Sequence, residues 1–124
     1  MADVLIIDDD REVRQAFKIA IENAGHTAST ASNGREGLSA LRKHAFDLVV
    51  TDIVMPDIEG IETIRTIRKE RSDIPIIAVS GGGEYADGAT YLGMARKLGA
   101  NVTMKKPVSV RELNRHIEIG RAHV

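Results

Sequence analysis

The chain has 124 residues, a formal net charge of −1 and no cysteine. That length holds one domain and leaves little for a second module; the charge balance gives no global footprint for nucleic acid or an anionic membrane; and without cysteine there are neither disulfides nor thiolate metal sites. The opening Met1-Ala2-Asp3 runs into a short apolar stretch that reads as neither signal peptide nor membrane span, so a cytoplasmic setting is expected.

Strand and helix alternate five times along the chain. Val4-Leu5-Ile6-Ile7 reads as a buried strand that ends in Asp8-Asp9. A helix follows over about 11–24, with Val13, Phe17, Ala20, Ile21 and Ala24 on one face and Gly25 as its stop. Residues 26–31 are polar and short, as an edge strand would be. Asn33-Gly34 marks a turn, and a helix over 35–44 turns Leu38 and Leu41 inward. Leu48-Val49-Val50 leads through Thr51 to Asp52, after which Met55-Pro56-Asp57 breaks the chain and Gly60 suits a tight turn. A helix over 60–71 presents Ile61, Ile64 and Ile67. Pro75 precedes Ile76-Ile77-Ala78-Val79, a strand that ends at Ser80. After a glycine-rich stretch, a helix over 90–98 turns Leu92, Ala95 and Leu98 inward and stops at Gly99. Asn101 to Lys105 is a weaker strand that Lys106-Pro107 ends. A last helix over 109–119 is expected to bury Val110, Leu113 and Ile117, with Gly120 fraying the tail.

Five such units predict an α/β fold, a single doubly wound five-stranded parallel sheet with five helices on its two faces. Right-handed crossovers leave few topologies. The polar second strand belongs at an edge, and the apolar first, third and fourth belong inside. Strand order 2-1-3-4-5, flavodoxin-like, satisfies both and puts its switch point between strands 1 and 3. Asp8, Asp9 and Asp52 then meet at the carboxyl edge of the sheet, where open α/β sheets bind ligands.

Three gathered carboxylates repel one another unless something positive sits among them. Mg²⁺ takes oxygen ligands in octahedral geometry, usually one or two carboxylates with waters and a phosphate oxygen. Asp9 and Asp52 can supply the carboxylates, and Asp8 can orient a bound water. A plainer reading makes Asp8, Asp9 and Asp10 caps of the first helix; it leaves Asp52, on a separate strand, unexplained. Lys106 lies at the same edge, where a point charge can hold a phosphoryl oxygen, although a solvated surface lysine is the commoner case. By strand alternation Lys105 faces the other way. The Ser80 hydroxyl can donate to a phosphoryl oxygen, and no histidine base accompanies it for hydrolysis. His26, His44, His116 and His123 are far apart in the pattern and are expected at the surface or an edge.

Ile6-Ile7-Asp8-Asp9-Asp10, the run Asp52-Ile53-Val54-Met55-Pro56-Asp57-Ile58-Glu59-Gly60, Ala78-Val79-Ser80 and Lys106-Pro107 together resemble the receiver domain of two-component response regulators, the CheY-like family. Each motif alone is weak; the four in order, with family-like spacing over the whole chain, are specific. The resemblance implies that residues 1–124 form one receiver domain with no output domain in view. It implies that Asp52 is the phosphoacceptor, charged by a histidine kinase or histidine phosphotransfer protein. Asp8 and Asp9 would hold Mg²⁺ with Asp52 and the Val54 carbonyl. Ser80 would turn toward the phosphoryl group, Lys106 would pair with it, and the Lys106-Pro107 bond would be cis. Such a domain assists its own phosphorylation and dephosphorylation and is not a turnover enzyme. It acts as a monomer or weak homodimer on a downstream effector.

The chain departs from the family pattern in places. Thr103 stands three positions before Lys106, where the family carries an aromatic that rotates inward on activation. Between Ser80 and Lys106 the segment is longer than usual, and Gly81-Gly82-Gly83 follows the hydroxyl residue. That stretch is either a tolerated insertion or the moving part that replaces the aromatic, with Glu84 or Tyr85 docking on a partner. Val54 and Gly82 offer no carboxylate or amide to position a water, so slow self-dephosphorylation is expected. Three alternatives stand beside the leading reading: a receiver-like module that is never phosphorylated, a receiver cut from a longer regulator, and a Mg²⁺-dependent phosphohydrolase. The last needs a second acid–base carboxylate two residues after Asp52, and that residue is Val54.

Overall fold

Each apolar run forms a strand in the computed structural model, which describes residues 1–53, 59–80, 93 and 95–122. The strands are β1 (Asp3–Ile7), β2 (Thr27–Ala31), β3 (Leu48–Asp52), β4 (Ile76–Ser80) and β5 (Val102–Lys105), all parallel, in the order β2-β1-β3-β4-β5. Helices α1 (Arg11–Asn23), α2 (Gly34–Lys43) and α3 (Glu59–Glu70) join them, α4 is helical at 93 and over 95–98 among the described residues, and α5 (Val110–Ala122) is the last element. The expected architecture and strand order hold, with element ends moved by one to three residues. Leu92, Val54, the Met55-Pro56-Asp57 break, Gly81 to Gly83, Glu84, Tyr85 and His123 lie outside the described residues.

Side-chain alternation divides the core between the two faces of the sheet. Leu5, Ile7, Val49, Ile76 and Ala78 pack with Leu41 of α2, Ile61, Ile64 and Ile67 of α3 and Ala95 of α4. Val4, Ile6, Val50, Ile77, Val79 and Met104 pack with Ile21 of α1 and with Leu113 and Ile117 of α5. The inner strands are buried on both faces, so their sequences are apolar throughout; β2 pairs on one side only and keeps Thr27, Ser29 and Thr30 exposed. At the amino edge of the sheet the Arg68 guanidinium donates to the Ser72, Ile74 and Gly99 carbonyls and to Asn101 Oδ1. It thereby fixes the entries to β4 and β5 and the left-handed turn at Gly99 (φ +124°).

Four expectations from sequence fail here. Val110 is 53% exposed, because the first turn of α5 stands beside Ala16 and Ile19 of α1 and not over the sheet; Ala24, likewise, is exposed beyond the end of α1. Gly120 does not fray. It lies within α5, where a Cβ would come within 2.9 Å of Leu48 Cδ1 and 3.4 Å of Pro75 Cβ, so a glycine lets the helix lie against the sheet.

His26 is the fourth. It is buried, its Nδ1 accepts from the Ala2 N–H at 2.9 Å, and its Nε2 faces Glu118 Oε1 at 2.9 Å. The ring thus ties the start of β1 to α5. The run 26–31 is polar, so nothing in it marks the ring as interior. His26→Ala would orphan the buried Ala2 N–H and is expected to cost about 1–3 kcal/mol, read as a lower urea-unfolding midpoint. The ring lies at the amino edge, so the chemistry at the opposite edge should be unchanged.

Candidate functional site

Parallel register brings the strand ends level. Ile7 pairs with Thr51, Asp52 with Val79 and Ser80 with Lys105, so Asp8, Asp52, Ser80 and Lys106 emerge together at the carboxyl edge. Carboxylate oxygens of Asp8, Asp9 and Asp52 lie within 4.8 Å of one another. Asp8, Asp52 and Ser80 are buried, and Asp9 is exposed. The Lys106 N–H donates to the Ser80 carbonyl at 2.8 Å, which carries the β4–β5 pairing one residue past the strand and sets Lys106 beside the acidic cluster. Its Nζ then lies 3.2 Å from Asp8 Oδ2 and 3.2 Å from Asp52 Oδ2. The Lys106-Pro107 peptide is cis, as the resemblance implied.

The three neighbouring aspartates have separate tasks. Asp10 is the N-cap of α1: its Oδ1 accepts from the Glu12 N–H at 2.8 Å and the Val13 N–H at 3.3 Å. The capping explanation therefore covers Asp10 and not its neighbours. Asp8 Oδ1 accepts from the Asp10 N–H at 2.8 Å, which leaves Oδ2 to Lys106. Asp9 is the member of the cluster that faces solvent, where an arriving cation would meet it.

Burial pushes the Asp8 carboxyl above the usual carboxylate range, although the Asp10 N–H and the Lys106 ammonium both pull it down. Burial also works against the charge on Lys106, but Asp52 and Asp8 together outweigh it and hold the ammonium above the usual lysine value. One lysine does not neutralise three carboxylates, so the site retains net negative charge. A small oxygen-seeking dication fits this donor set, made of carboxylates alone with no sulfur or imidazole among the described residues.

All of these strand-end residues fall within the stretch that matches a known domain. The family model for the response regulator receiver domain matches residues 4–118. The chain belongs to the response regulator receiver family. The receiver is 37% identical over 115 residues to the probable transcriptional regulator ycf27 of Cyanidium caldarium, a match covering 93% of this chain and 44% of that protein. It is 37% identical over 113 residues to the transcriptional regulatory protein CpxR homolog of Haemophilus influenzae, over 91% of this chain and 47% of that one. It thus spans about half the length of these curated relatives. Among solved structures it is similar to a response regulator receiver domain protein from Clostridium thermocellum, with a TM-score of 0.89, 31% identity and coverage of 98% and 95% of the two chains. It is similar too to the chemotaxis response regulator CheY4 of Vibrio cholerae, with a TM-score of 0.81, 26% identity and coverage of 97% and 98%.

Of the site residues expected from the sequence, the receiver fold brings Asp8, Asp9, Asp52, Ser80 and Lys106 to one edge; Val54 lies outside the described residues. Thr103 is half-buried on β5, paired with Ala78. Two neighbours of the site were not legible in the sequence. Gly60 lies in α3, as the expected helix over 60–71 has it, and not in a tight turn; what the sequence does not show is that a Cβ there would meet the backbone of Asp52 and Ile53. Arg14, half-buried on α1, donates from Nη1 to the Asp8 carbonyl at 2.7 Å. No periodicity marks either one, because the first acts through a backbone approach and the second through a long reach.

Proposed function

We propose that this receiver is a phosphoacceptor switch, with Asp52 taking a phosphoryl group from a phosphohistidine of a histidine kinase or phosphotransfer protein. The observation that supports it most is the Lys106 ammonium 3.2 Å from both Asp8 and Asp52, beside carboxylates gathered within 4.8 Å. In the transfer an Asp52 carboxylate oxygen forms the new O–P bond, the P–N bond breaks, and the imidazole keeps the electron pair and picks up a proton. Such transfer is mostly positioning and neutralisation of spread negative charge.

Asp9 and Asp52, with Asp8 behind them and the Val54 carbonyl as a further donor, would hold Mg²⁺. When bound, the ion supplies positive charge to the transferring oxygens. Lys106 supplies the second cation. Phosphorylation replaces a planar monoanion by a tetrahedral group of charge near −2, and Lys106, already paired with Asp52, stays with the new oxygens. The Ser80 hydroxyl, buried at the end of β4, turns toward them. A shift of Ser80 then biases one of two surface arrangements and so controls a partner.

The domain is not a turnover enzyme on this reading, and it touches neither nucleic acid nor membrane directly. No described helix is long and apolar enough to cross a membrane. Because the matched relatives are transcriptional regulators about twice as long, a second reading places the effector in the same polypeptide.

Intact-mass spectrometry after incubation with acetyl phosphate tests the assignment. One Mg²⁺-dependent phosphoryl adduct is expected on the wild type and none on Asp52→Asn. A folded wild type that takes up no phosphoryl group would leave the unphosphorylated interaction module in its place. Steady release of phosphate over many turnovers would point to the hydrolase.

A further inference from the structure

We infer that Arg14 is a positioning residue for the cation: it fixes the Asp8–Asp9 peptide and so aims the exposed Asp9 carboxylate into the site. The inference rests on the Mg²⁺ site proposed above.

Asp9 sits between two peptide groups, and both are held from outside. The Asp10 N–H on its far side donates to Asp8 Oδ1 at 2.8 Å. The Asp8 carbonyl on its near side accepts from Arg14 Nη1 at 2.7 Å. That carbonyl lies just past β1. The Asp8 N–H still reaches the Ala31 carbonyl of β2 at 3.1 Å, so Asp8 is the last residue with strand pairing. Its own carbonyl has left the ladder. Arg14 supplies the donor, one turn into α1, where the Arg14 N–H also donates to the Asp10 carbonyl at 3.0 Å. With both flanking peptides pinned, the Cα–Cβ direction of Asp9 is set before any cation arrives. The same guanidinium helps to hold the Glu36 carboxyl below its usual range, after the larger effects of the Ser32 N–H and hydroxyl.

Charge and geometry make opposite forecasts. A guanidinium beside the Asp8 carbonyl repels a dication, so Coulomb's law alone says that removing it tightens Mg²⁺ binding. Loss of an outer group that orients a ligand weakens metal affinity, typically 10–100-fold. The sign of the change thus separates positioning from bystander charge.

The experiment is isothermal titration calorimetry of the full chain with Mg²⁺ and, separately, Ca²⁺, on wild type, Arg14→Met and Arg14→Lys, with urea unfolding of each. We expect Arg14→Met to weaken Mg²⁺ about tenfold. Arg14→Lys, which keeps a donor, should recover part of the loss. Ca²⁺ should lose less, because its coordination is flexible while Mg²⁺ demands near-ideal octahedral geometry. Unchanged or tighter Mg²⁺ binding in Arg14→Met overturns the inference, as does an equal loss for the two ions. If Arg14→Met does not fold, Arg14→Lys carries the test through the same comparison of ions. A wild type that binds no Mg²⁺ would sink the cation site itself, an outcome distinct from a wild type that binds and a variant that binds as well.

Discussion

Asp8→Asn is expected to make the protein more stable and to abolish Mg²⁺-dependent phosphorylation. Asp8 is buried, and burial raises its carboxyl above the usual range despite the Asp10 N–H and Lys106. A carboxyl whose value is higher in the folded than in the unfolded chain opposes folding once it ionises. Below both values the cost is absent. It grows as pH rises from the unfolded value near 4 through the higher folded value, and it persists above that. Asparagine keeps the oxygen that accepts from the Asp10 N–H and removes the charge, and Lys106 keeps Asp52 as its partner. The variant should gain on the order of 1 kcal/mol at pH 7.5, within the usual range for relieving a functional site. Urea unfolding at several pH values reads this: the gap between variant and wild type should close toward pH 4 and open toward pH 8. Added Mg²⁺ should restabilise the wild type, by mass action on the folded state, and leave the variant unmoved. A variant less stable than wild type at pH 7.5 would show that the Lys106 pair outweighs burial. In that case the site is not held at a cost to the fold.

That balance explains why the site was legible in the sequence. Asp8, Asp52, Ser80 and Lys106 end strands, and a parallel sheet with known order puts strand ends side by side whatever the side chains do. Carboxylates at such ends are costly to a fold that does not use them, so their presence carries information. Position along the strand was enough for these residues. It was not enough for those whose part depends on reach or on close packing. Arg14 acts through a flexible side chain that spans from α1 back to the Asp8 carbonyl, and the helix pattern shows it only as a polar residue. His26 opens a polar run, and the partners that hold it, Ala2 and Glu118 of α5, are far away in sequence. Val110 has helical spacing with Leu113 and Ile117, yet spacing cannot say that the first turn of α5 meets α1 and not the sheet. The glycines of α3 and α5 read as turn and fraying signals, because a helix interior disfavours glycine by about 1 kcal/mol relative to alanine. Both are there to let a helix come close to what lies beneath it, and only the packed structure shows what that is.

The two helical glycines give a prediction in which the identity of the neighbour decides the result. At Gly60 a Cβ would stand 2.5 Å from Ile53 Cα and 2.8 Å from the Asp52 carbonyl oxygen. Both are backbone atoms of the segment that presents the proposed phosphoacceptor, and neither can rotate away. At Gly120 the nearest atom is Leu48 Cδ1 at 2.9 Å, the far end of a flexible side chain. Alanine gains about 1 kcal/mol of helix propensity at either place, and overpacking a core costs about 1–3 kcal/mol. Gly120→Ala should therefore come out near neutral, with Leu48 changing rotamer. Gly60→Ala should be destabilised by about 1–2 kcal/mol, because α3 and the Asp52–Ile53 backbone must move apart. The larger effect falls on chemistry. A shift of about 1 Å in a reacting group can cost as much as 10²-fold in rate, and here the strained neighbour is Asp52 itself. Gly60→Ala should slow the appearance of the phosphoryl adduct with acetyl phosphate by at least about tenfold, whereas Gly120→Ala should match wild type. A time course by intact mass on both variants, at a urea concentration of zero and a temperature well below either unfolding midpoint, separates the two effects. Equal slowing in both would trace the loss to general weakening of the fold. Slowing confined to Gly60→Ala would mean that the first turn of α3 acts as the wall against which the phosphoacceptor is held.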